Sequence, residues 1–292
     1  MTASTTTRGR RTARAQRPER PGTRPDRHVL YEAAVQGADY DLDFMERVYR
    51  RLNGRAFVRF REDFCGTALV AAAWALRRPE NRAWGVDLDR ATLEWARRHR
   101  LARMRDAASR VKLLRRDVRT VEAPAVDVVA AYNYSYWVFH RRRDLLAYFR
   151  AVRRSLRPGG LFFLTAFGGS EAQGTLTERK RVTTSYSADG ERVPPFTYVW
   201  EQQRFNVVDH RLRCHIHFQL RDGTTIRRAF SYDWRLWTLP EMSDALAEAG
   251  FRRSMAYVEG WDDKRNRPDE VLRVRRHFPN QESWLAVVVG VR

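Results

Sequence analysis

The residues with the clearest chemical meaning fall in four short runs: Glu62-Asp63-Phe64-Cys65-Gly66-Thr67-Ala68, Asp87-Leu88 after Trp84-Gly85-Val86, Asp117-Val118, and Tyr132-Asn133-Tyr134-Ser135-Tyr136-Trp137. Gly66 lacks a Cβ, so a ligand can approach the backbone of the first run closely. Asp87 ends an apolar stretch, where a carboxylate accepts hydrogen bonds from ribose hydroxyls, as in dinucleotide sites. Asp117 follows Val111 to Leu114 and is placed to accept from an adenine amino group. The fourth run offers aromatic faces, an amide and a hydroxyl. Each run alone is a weak signal, since glycine turns and strand-end acids are common. Four in this order describe an adenosine site facing an aromatic compartment.

Such a site needs strands that end on one side of a sheet. Leu42, Met45, Val48, Tyr49 and Leu52 recur at helical spacing and stop at Gly54. Apolar strands then alternate with amphipathic helices from about residue 57 to residue 167, the signature of a mostly parallel sheet covered on both faces. After that the alternation stops. Three antiparallel strands are expected between about 192 and 235, with Leu212, Cys214, Ile216, Phe218 and Leu220 on one face and His215 and His217 on the other. Asp222-Gly223 supplies a hairpin turn, Thr238-Leu239-Pro240-Glu241 opens a capped helix that Gly250 ends, and two apolar strands near 252 to 258 and 284 to 291 flank a polar segment. The expected fold class is α/β: a Rossmann-like, seven-stranded, mostly parallel sheet with an antiparallel β insertion after the fifth strand. Its expected parts are an Arg-rich disordered tail (1–28), N-terminal helices and a cofactor-binding part (29–170), a substrate-covering insertion (171–235) and the C-terminal part of the core (236–292).

Over about residues 29 to 292 the chain resembles the class I S-adenosylmethionine-dependent methyltransferases. Glu62 to Ala68 is similar to the family's glycine-rich loop, with Phe64 and Ala68 where the family has glycines. Gly85-Val86-Asp87-Leu88 resembles its ribose motif, Asp117-Val118 its adenine motif, and Leu156-Arg157-Pro158-Gly159-Gly160 the turn before its fifth strand. The resemblance implies S-adenosyl-L-methionine as cofactor, held by Tyr31, Glu62, Cys65, Gly66, Thr67, Asp87, Leu88, Asp117, Val118, Tyr132, Asn133 and Ser135. Tyr31 enters because N-terminal helices in the family often lay a tyrosine over the cofactor, and Gln36 is a second candidate there. A nicotinamide dehydrogenase is the rival for the fold, but its fingerprint wants the full glycine set.

Methyl transfer is a displacement at a sulfonium carbon, so it needs alignment, aromatic faces for cationic groups and sometimes a base. Asn133, Tyr134, Tyr136 and Glu201 are the candidates on the acceptor side, and the fourth run is loosely similar to a segment of glycine N-methyltransferase. The expected reaction is methylation of a small-molecule acceptor, at an amine or guanidine nitrogen in preference to oxygen. The alternatives are an RNA or protein methyltransferase and a non-catalytic S-adenosylmethionine-binding module. Alternation puts Tyr198, Trp200 and Gln202 on one face of their strand and Glu201 on the other. No metal is expected: His215 and His217 share a face without a third ligand. Cys65 reads as a packing residue, with no base motif beside it.

A net charge of +20 would normally suggest nucleic acid. Here lysine occurs only at 112, 180 and 264, and the arginines scatter through the chain. Nucleic acid is accordingly a rival partner, carried mainly by the arginine-rich tail. Cys65 and Cys214 match no disulfide framework, which fits a cytoplasmic setting, and no apolar run approaches the roughly 20 residues of a membrane span. Oligomeric state is left open, a homodimer being one option.

Overall fold

The computed structural model describes residues 25–183, 185–186, 190, 192–262 and 267–292. Two helices, α1 (Arg27–Val35) and α2 (Ala38–Asn53), precede the alternating part. Asp26 caps α1 by accepting from His28 N at 2.7 Å, and α2 ends at Gly54 in the left-handed conformation a helix stop favours. Of the expected tail, residues 1–24 lie outside the described residues, and Arg27 and His28 already belong to α1.

The alternating part runs β1 (Arg59–Asp63), α3 (Leu69–Arg77), β2 (Arg82–Asp87), α4 (Arg90–His99), β3 (Val111–Arg115), β4 (Val126–Ala131), α5 (Arg142–Ser155) and β5 (Leu156–Gly168). The insertion contributes β6 (Leu176–Val182), β7 (Ser185–Tyr186), β8 (Arg192–Val193), β9 (Phe196–Asn206), β10 (Arg211–Gln219) and β11 (Thr225–Arg235). The chain closes with α6 (Leu239–Glu248), β12 (Arg253–Asp262), β13 (Arg267–Val274) and β14 (Trp284–Val291).

The main sheet has the order β13-β12-β14-β5-β4-β1-β2-β3. The pairs from β3 to β5 are parallel, and β14, β12 and β13 add antiparallel pairs. Every residue of β4 is buried, and alternate residues serve different cores. Val129 and Ala131 pack with α5 and α6 on one face, while Val128 and Ala130 pack with α2 and α3 on the other. A continuous apolar run is what such a doubly covered strand requires. The order reverses beside β1, between β2 and β4, which opens a crevice at the strands' carboxyl ends.

The sheet has eight strands where seven were expected. The extra one, β13, lies in the segment that reads as polar; Leu272 is buried on one face while Val271 and Val274 stay exposed, so only half of this edge strand carries an apolar signal. The insertion likewise forms a four-stranded sheet, β11-β10-β9-β6, plus the ribbon β7-β8, instead of three strands. β6 (Leu-Thr-Glu-Arg-Lys-Arg-Val) pairs with β9 over its whole length but buries only Val182 fully, so its pattern hides it. The Asp222-Gly223 hairpin and the Thr238–Glu241 capping box form as expected. Leu30 of α1 joins Phe196, Ile216 and Phe218 in a third core against this sheet.

Candidate active site

The Phe64–Ala68 loop carries the chain from β1 to α3. Phe64, Gly66 and Ala68 have φ of 56°, 50° and 56°. Left-handed backbone costs a residue with a Cβ about 1–2 kcal/mol, so the glycine pattern is a demand for this path, met here by two other residues. The Phe64 ring offsets part of that cost by packing edge-on to Phe139 and Tyr148. Nothing stands within 4 Å of where a Gly66 Cβ would lie, so the loop faces open space there. Cys65 turns inward, 1% exposed, and a Cβ on Gly85 would lie 2.9 Å from its sulfur; Gly85 is therefore what lets the loop seat on β2. Thr67 is buried, and its carbonyl accepts from Arg100 Nε at 3.0 Å.

Glu62 does not simply point at the crevice. Its Oε2 accepts from Ala71 N at 2.8 Å and caps α3, whose N-cap residue, Ala68, has no side-chain acceptor. Burial pushes the Glu62 carboxyl up to about 8, against the pull of the Ala71 amide and of Arg100, with Asp41 and Asp87 raising it further. Asp87 grips the loop from β2: Oδ2 accepts from Gly66 N at 2.8 Å, across 21 residues, and Oδ1 accepts from Asp89 N at 2.9 Å. Leu88 beside it is 63% exposed, available to lie against a flat ligand. Asp117 is held by Arg119 at 2.6 Å, chiefly through that hydrogen bond its carboxyl stays below the usual range, and Val118 is buried under it. Sequence reasoning missed Arg119, whose guanidinium also lies 5.4 Å from the Phe139 ring centre.

At the end of β4, Asn133 and Tyr134 again adopt positive φ, 53° and 58°, and Tyr134 N donates to Thr165 Oγ1 at 3.1 Å. Ser135 Oγ donates to the Tyr132 carbonyl at 2.8 Å, closing the turn. Tyr132 Oη is buried without a hydrogen-bond partner, and so is Gln36 Oε1 at the end of α1. Tyr31 packs 4.9 Å from the Phe230 ring, and burial pushes its hydroxyl up to about 12 although Tyr232 hydrogen-bonds it.

On the acceptor side the structure divides the four candidates. Tyr134 lines a cavity of about 330 Å³ between the carboxyl ends of the main sheet and the antiparallel sheet, and Asn133 adjoins it in sequence. Tyr136 is not brought there: it is fully buried, its hydroxyl donating to the Thr165 carbonyl at 2.9 Å. Glu201 faces away as well, paired with His217 at 2.9 Å, because it alternates with Tyr198, Trp200 and Gln202, which do line the cavity. His215 bonds Ser231 Oγ at 2.7 Å on that same outer face.

The cavity wall is aromatic and acidic: Tyr134, Phe167, Tyr198, Trp200, Trp261 and Trp284, with Glu171, Glu178 and Glu259, and no lysine, arginine or histidine among its described residues. Burial raises the Glu178 carboxyl, and the charge of Glu171 adds to the shift. Tyr134 sits at the junction with the loop crevice; burial raises its hydroxyl, with Tyr31, Glu259 and Asp41 contributing in turn. The glutamates and tryptophans escaped the sequence reading because they come from segments far apart in the chain, with no local spacing to mark them.

A sheet with this order, a loop of this path and an acid at the end of the second strand define the class I methyltransferase fold. A family model described as a methyltransferase domain matches residues 65–162. No curated protein matches the chain in sequence. Among solved structures, the chain is similar to an S-adenosylmethionine-dependent methyltransferase from Clostridium acetobutylicum (17% identity, 89% of this chain and 95% of that one, TM-score 0.62). It is also similar to an amino pentose methyltransferase from Micromonospora echinaspora (17%, 92% and 98%, 0.60) and to a sugar N-methyltransferase from Streptoalloteichus (17%, 97% and 99%, 0.61). Residues 65–162 thus match a methyltransferase domain, and the chain as a whole has the fold of S-adenosylmethionine-dependent methyltransferases, whose cofactor is S-adenosylmethionine. The crevice fits that molecule. The buried Tyr132 Oη and Gln36 Oε1 lack partners, Gly66 leaves room for close approach, and the acids suit hydroxyls, an amino group and a positive charge. When bound, S-adenosylmethionine supplies a methyl group activated on a sulfonium. Among the described residues no helix is long and apolar enough to cross a membrane.

Proposed function

We propose that the chain methylates a nitrogen of a small cationic amine, an amino sugar being the class that suits it best. The observation that carries this reading is the cavity next to Tyr134, which gathers three glutamates and six aromatic rings with no described cation, in a chain of net charge +20. Aromatic faces and carboxylates both favour an ammonium group, and a cation there relieves the repulsion between Glu171 and Glu178. Carboxylates and tyrosine hydroxyls also accept hydrogen bonds from sugar hydroxyls. The reaction requires a free lone pair on nitrogen: the ammonium proton passes to a carboxylate or water, nitrogen bonds the methyl carbon, and the carbon–sulfur pair stays on sulfur. Two of the similar folds carry names that specify an amino pentose and a sugar nitrogen, which supports the class.

In this reading Tyr134 and Asn133 align the acceptor, Asp87 and Leu88 hold the ribose, Asp117 and Val118 the adenine, and the Cys65–Thr67 backbone, Glu62, Tyr31, Tyr132 and Ser135 surround the methionyl half. Tyr136 and Glu201 keep supporting places in the turn and the sheet. The test is methyl transfer to a panel of amino sugars, simple amines, matched hydroxyl analogues and RNA. Transfer confined to the amines, with KM rising on the order of tenfold in Glu178→Gln, is the expected outcome. Equal use of the hydroxyl analogues, or transfer to RNA alone, would overturn the reading.

A further inference from the structure

One wall of the cavity beside Tyr134 comes from two segments far apart in the chain: the end of β5 with the turn after it, and the start of β14 with the loop before it. Trp284 pairs with Gly168 across these strands, and its indole lies directly on the glycine. A Cβ at Gly168 would stand 2.1 Å from Trp284 Cζ2, 2.6 Å from Cε2 and 2.7 Å from Cη2, far inside van der Waals contact, so only a glycine fits beneath the ring where it lies. The backbone around this pair is clamped. Ser170 N donates to the Gln281 carbonyl at 3.1 Å and Glu171 N to the Glu282 carbonyl at 3.0 Å. Gly169, at a φ of 112°, permits that approach: a Cβ there would lie 2.3 Å from the Glu282 oxygen and 2.7 Å from the Gln281 oxygen. From the antiparallel sheet, Gln202, 2% exposed, donates through Nε2 to the Glu171 carbonyl at 2.8 Å and to the Gly174 carbonyl at 2.6 Å. The wall is thus tied to both sheets, and the Trp284 ring is held between bare backbone and the cavity it lines.

We propose that the Trp284 indole, seated on Gly168, sets the size of acceptor the cavity admits: a single sugar-sized ring carrying the amine, with a C–H face of that ring against the indole. The inference rests on the reading of this cavity as the acceptor site and adds the residue that limits the acceptor. Volume gives the scale. A water molecule takes up about 30 Å³ of liquid, so a cavity of about 330 Å³ has room for about a dozen non-hydrogen atoms, the size of one aminohexose. Because the backbone of both segments is pinned, a methyl group at position 168 is accommodated by the ring rising off β5, into the space the acceptor would occupy. Gly168 is therefore a positioning residue that acts through Trp284, and Trp284 is the residue that meets the acceptor. One methylene more or less in a binding pocket changes selectivity by about 10-fold to 200-fold.

The experiment is steady-state methyl transfer by the whole chain to acceptors of rising size: a two-carbon amino alcohol, a free aminohexose, and the same aminohexose bearing a second sugar ring, each beside its hydroxyl analogue. The parent, Gly168→Ala, Trp284→Ala and the double variant are compared. In the parent, kcat/KM should fall on the order of tenfold from the one-ring to the two-ring amine. Trp284→Ala should remove most of that fall. Gly168→Ala should raise KM for the one-ring amine on the order of tenfold and for the two-carbon amine less, with affinity for S-adenosylhomocysteine retained. The double variant should behave as Trp284→Ala does, because the added methyl then has no ring to lift. An equal loss for all acceptors in Gly168→Ala, or a loss that persists without Trp284, would overturn the proposal. So would an unchanged size order in Trp284→Ala, which decides the matter even if a melting curve shows Gly168→Ala to be unfolded. Transfer to the hydroxyl analogues in place of the amines would instead overturn the nitrogen reading, a distinct result, since the size order is then read in that series.

Discussion

Asp87→Ala separates the loop bracing that the structure shows for this carboxylate from the ribose binding proposed for it. Its oxygens accept from Gly66 N at 2.8 Å and from Asp89 N at 2.9 Å, so it braces the loop before any ligand arrives. Hydrogen bonds to a charged acceptor contribute about 1.5–3 kcal/mol each when sequestered. Asp87 is only half-buried, and solvent exposure takes the pair below that range, to about 2 kcal/mol together. For a chain of this size that corresponds to a fall of about 4–8 °C in Tm. Loss of the two proposed ribose hydrogen bonds should remove about 2–4 kcal/mol of binding free energy, a weakening of about 30-fold to 1,000-fold. Asp87→Asn keeps one acceptor oxygen and should fall between the two proteins in both respects. Calorimetric titration with S-adenosylhomocysteine gives the affinity, and differential scanning calorimetry of the free proteins gives Tm. If the alanine variant binds within about threefold of the parent while its Tm drops, the carboxylate only braces the loop and the ribose assignment is wrong. If Tm does not move, the hydrogen bonds to Gly66 and Asp89 carry no weight.

Two further outcomes follow from groups deeper in the fold. Arg61 and Asp63 form a fully buried pair at 2.8 Å, with Tyr148 donating to Asp63 at 2.9 Å; Arg61→Met should destabilise by about 3–5 kcal/mol in denaturant unfolding, because it strands a buried carboxylate, while Arg61→Met with Asp63→Leu should recover most of the loss. The pH dependence of the free protein has a definite sign. Asp41 at about 7 and Glu62 at about 8 are raised above their unfolded values, so each favours folding less as pH rises from its unfolded pKa toward its folded one. His28 and His215 are lowered, chiefly by burial, and act in the opposite sense only below about pH 6.5. Unfolding free energy should therefore fall between about pH 6.5 and 8, and a flat or rising profile would show that the two acids are not desolvated.

The parts of the site that were legible in the sequence are those fixed by one strand end at a time. Gly66 and Asp87 announce themselves because a parallel strand turning into a helix needs a tight backbone on one side and leaves an acid on the other. Phe64 and Ala68 looked like departures because sequence shows residue type, whereas the fold constrains φ; once both are seen near 56°, the loop has the path its glycines would give. Glu171, Glu178 and Glu259 were not legible, since each is an ordinary polar residue in its own segment and acquires meaning only from neighbours in other segments. Tyr136 and Glu201 were misplaced for the same reason in reverse. Their residue types suit the chemistry, but the turn aims Tyr136 into the core and alternation turns Glu201 outward. β6 and β13 were hidden because edge and cover strands bury little, so their pattern is set more by solvent than by packing.

Helix α1 has contacts of two kinds. On one side Glu32 is paired with Arg100, whose guanidinium also holds the Thr67 carbonyl of the cofactor loop, and Trp95 Nε1 donates to Asp26 at 3.0 Å. On the other side Leu30 and Tyr31 pack on the antiparallel sheet that covers the cavity, and Arg27 bonds the Ala229 carbonyl. In mechanical terms α1 is a shared hinge pin: it cannot swing off the loop while keeping its seat on the sheet. The β1–α3 loop and the antiparallel sheet are therefore tied through the same few contacts of one helix, and a substitution that loosens α1 from either should loosen both.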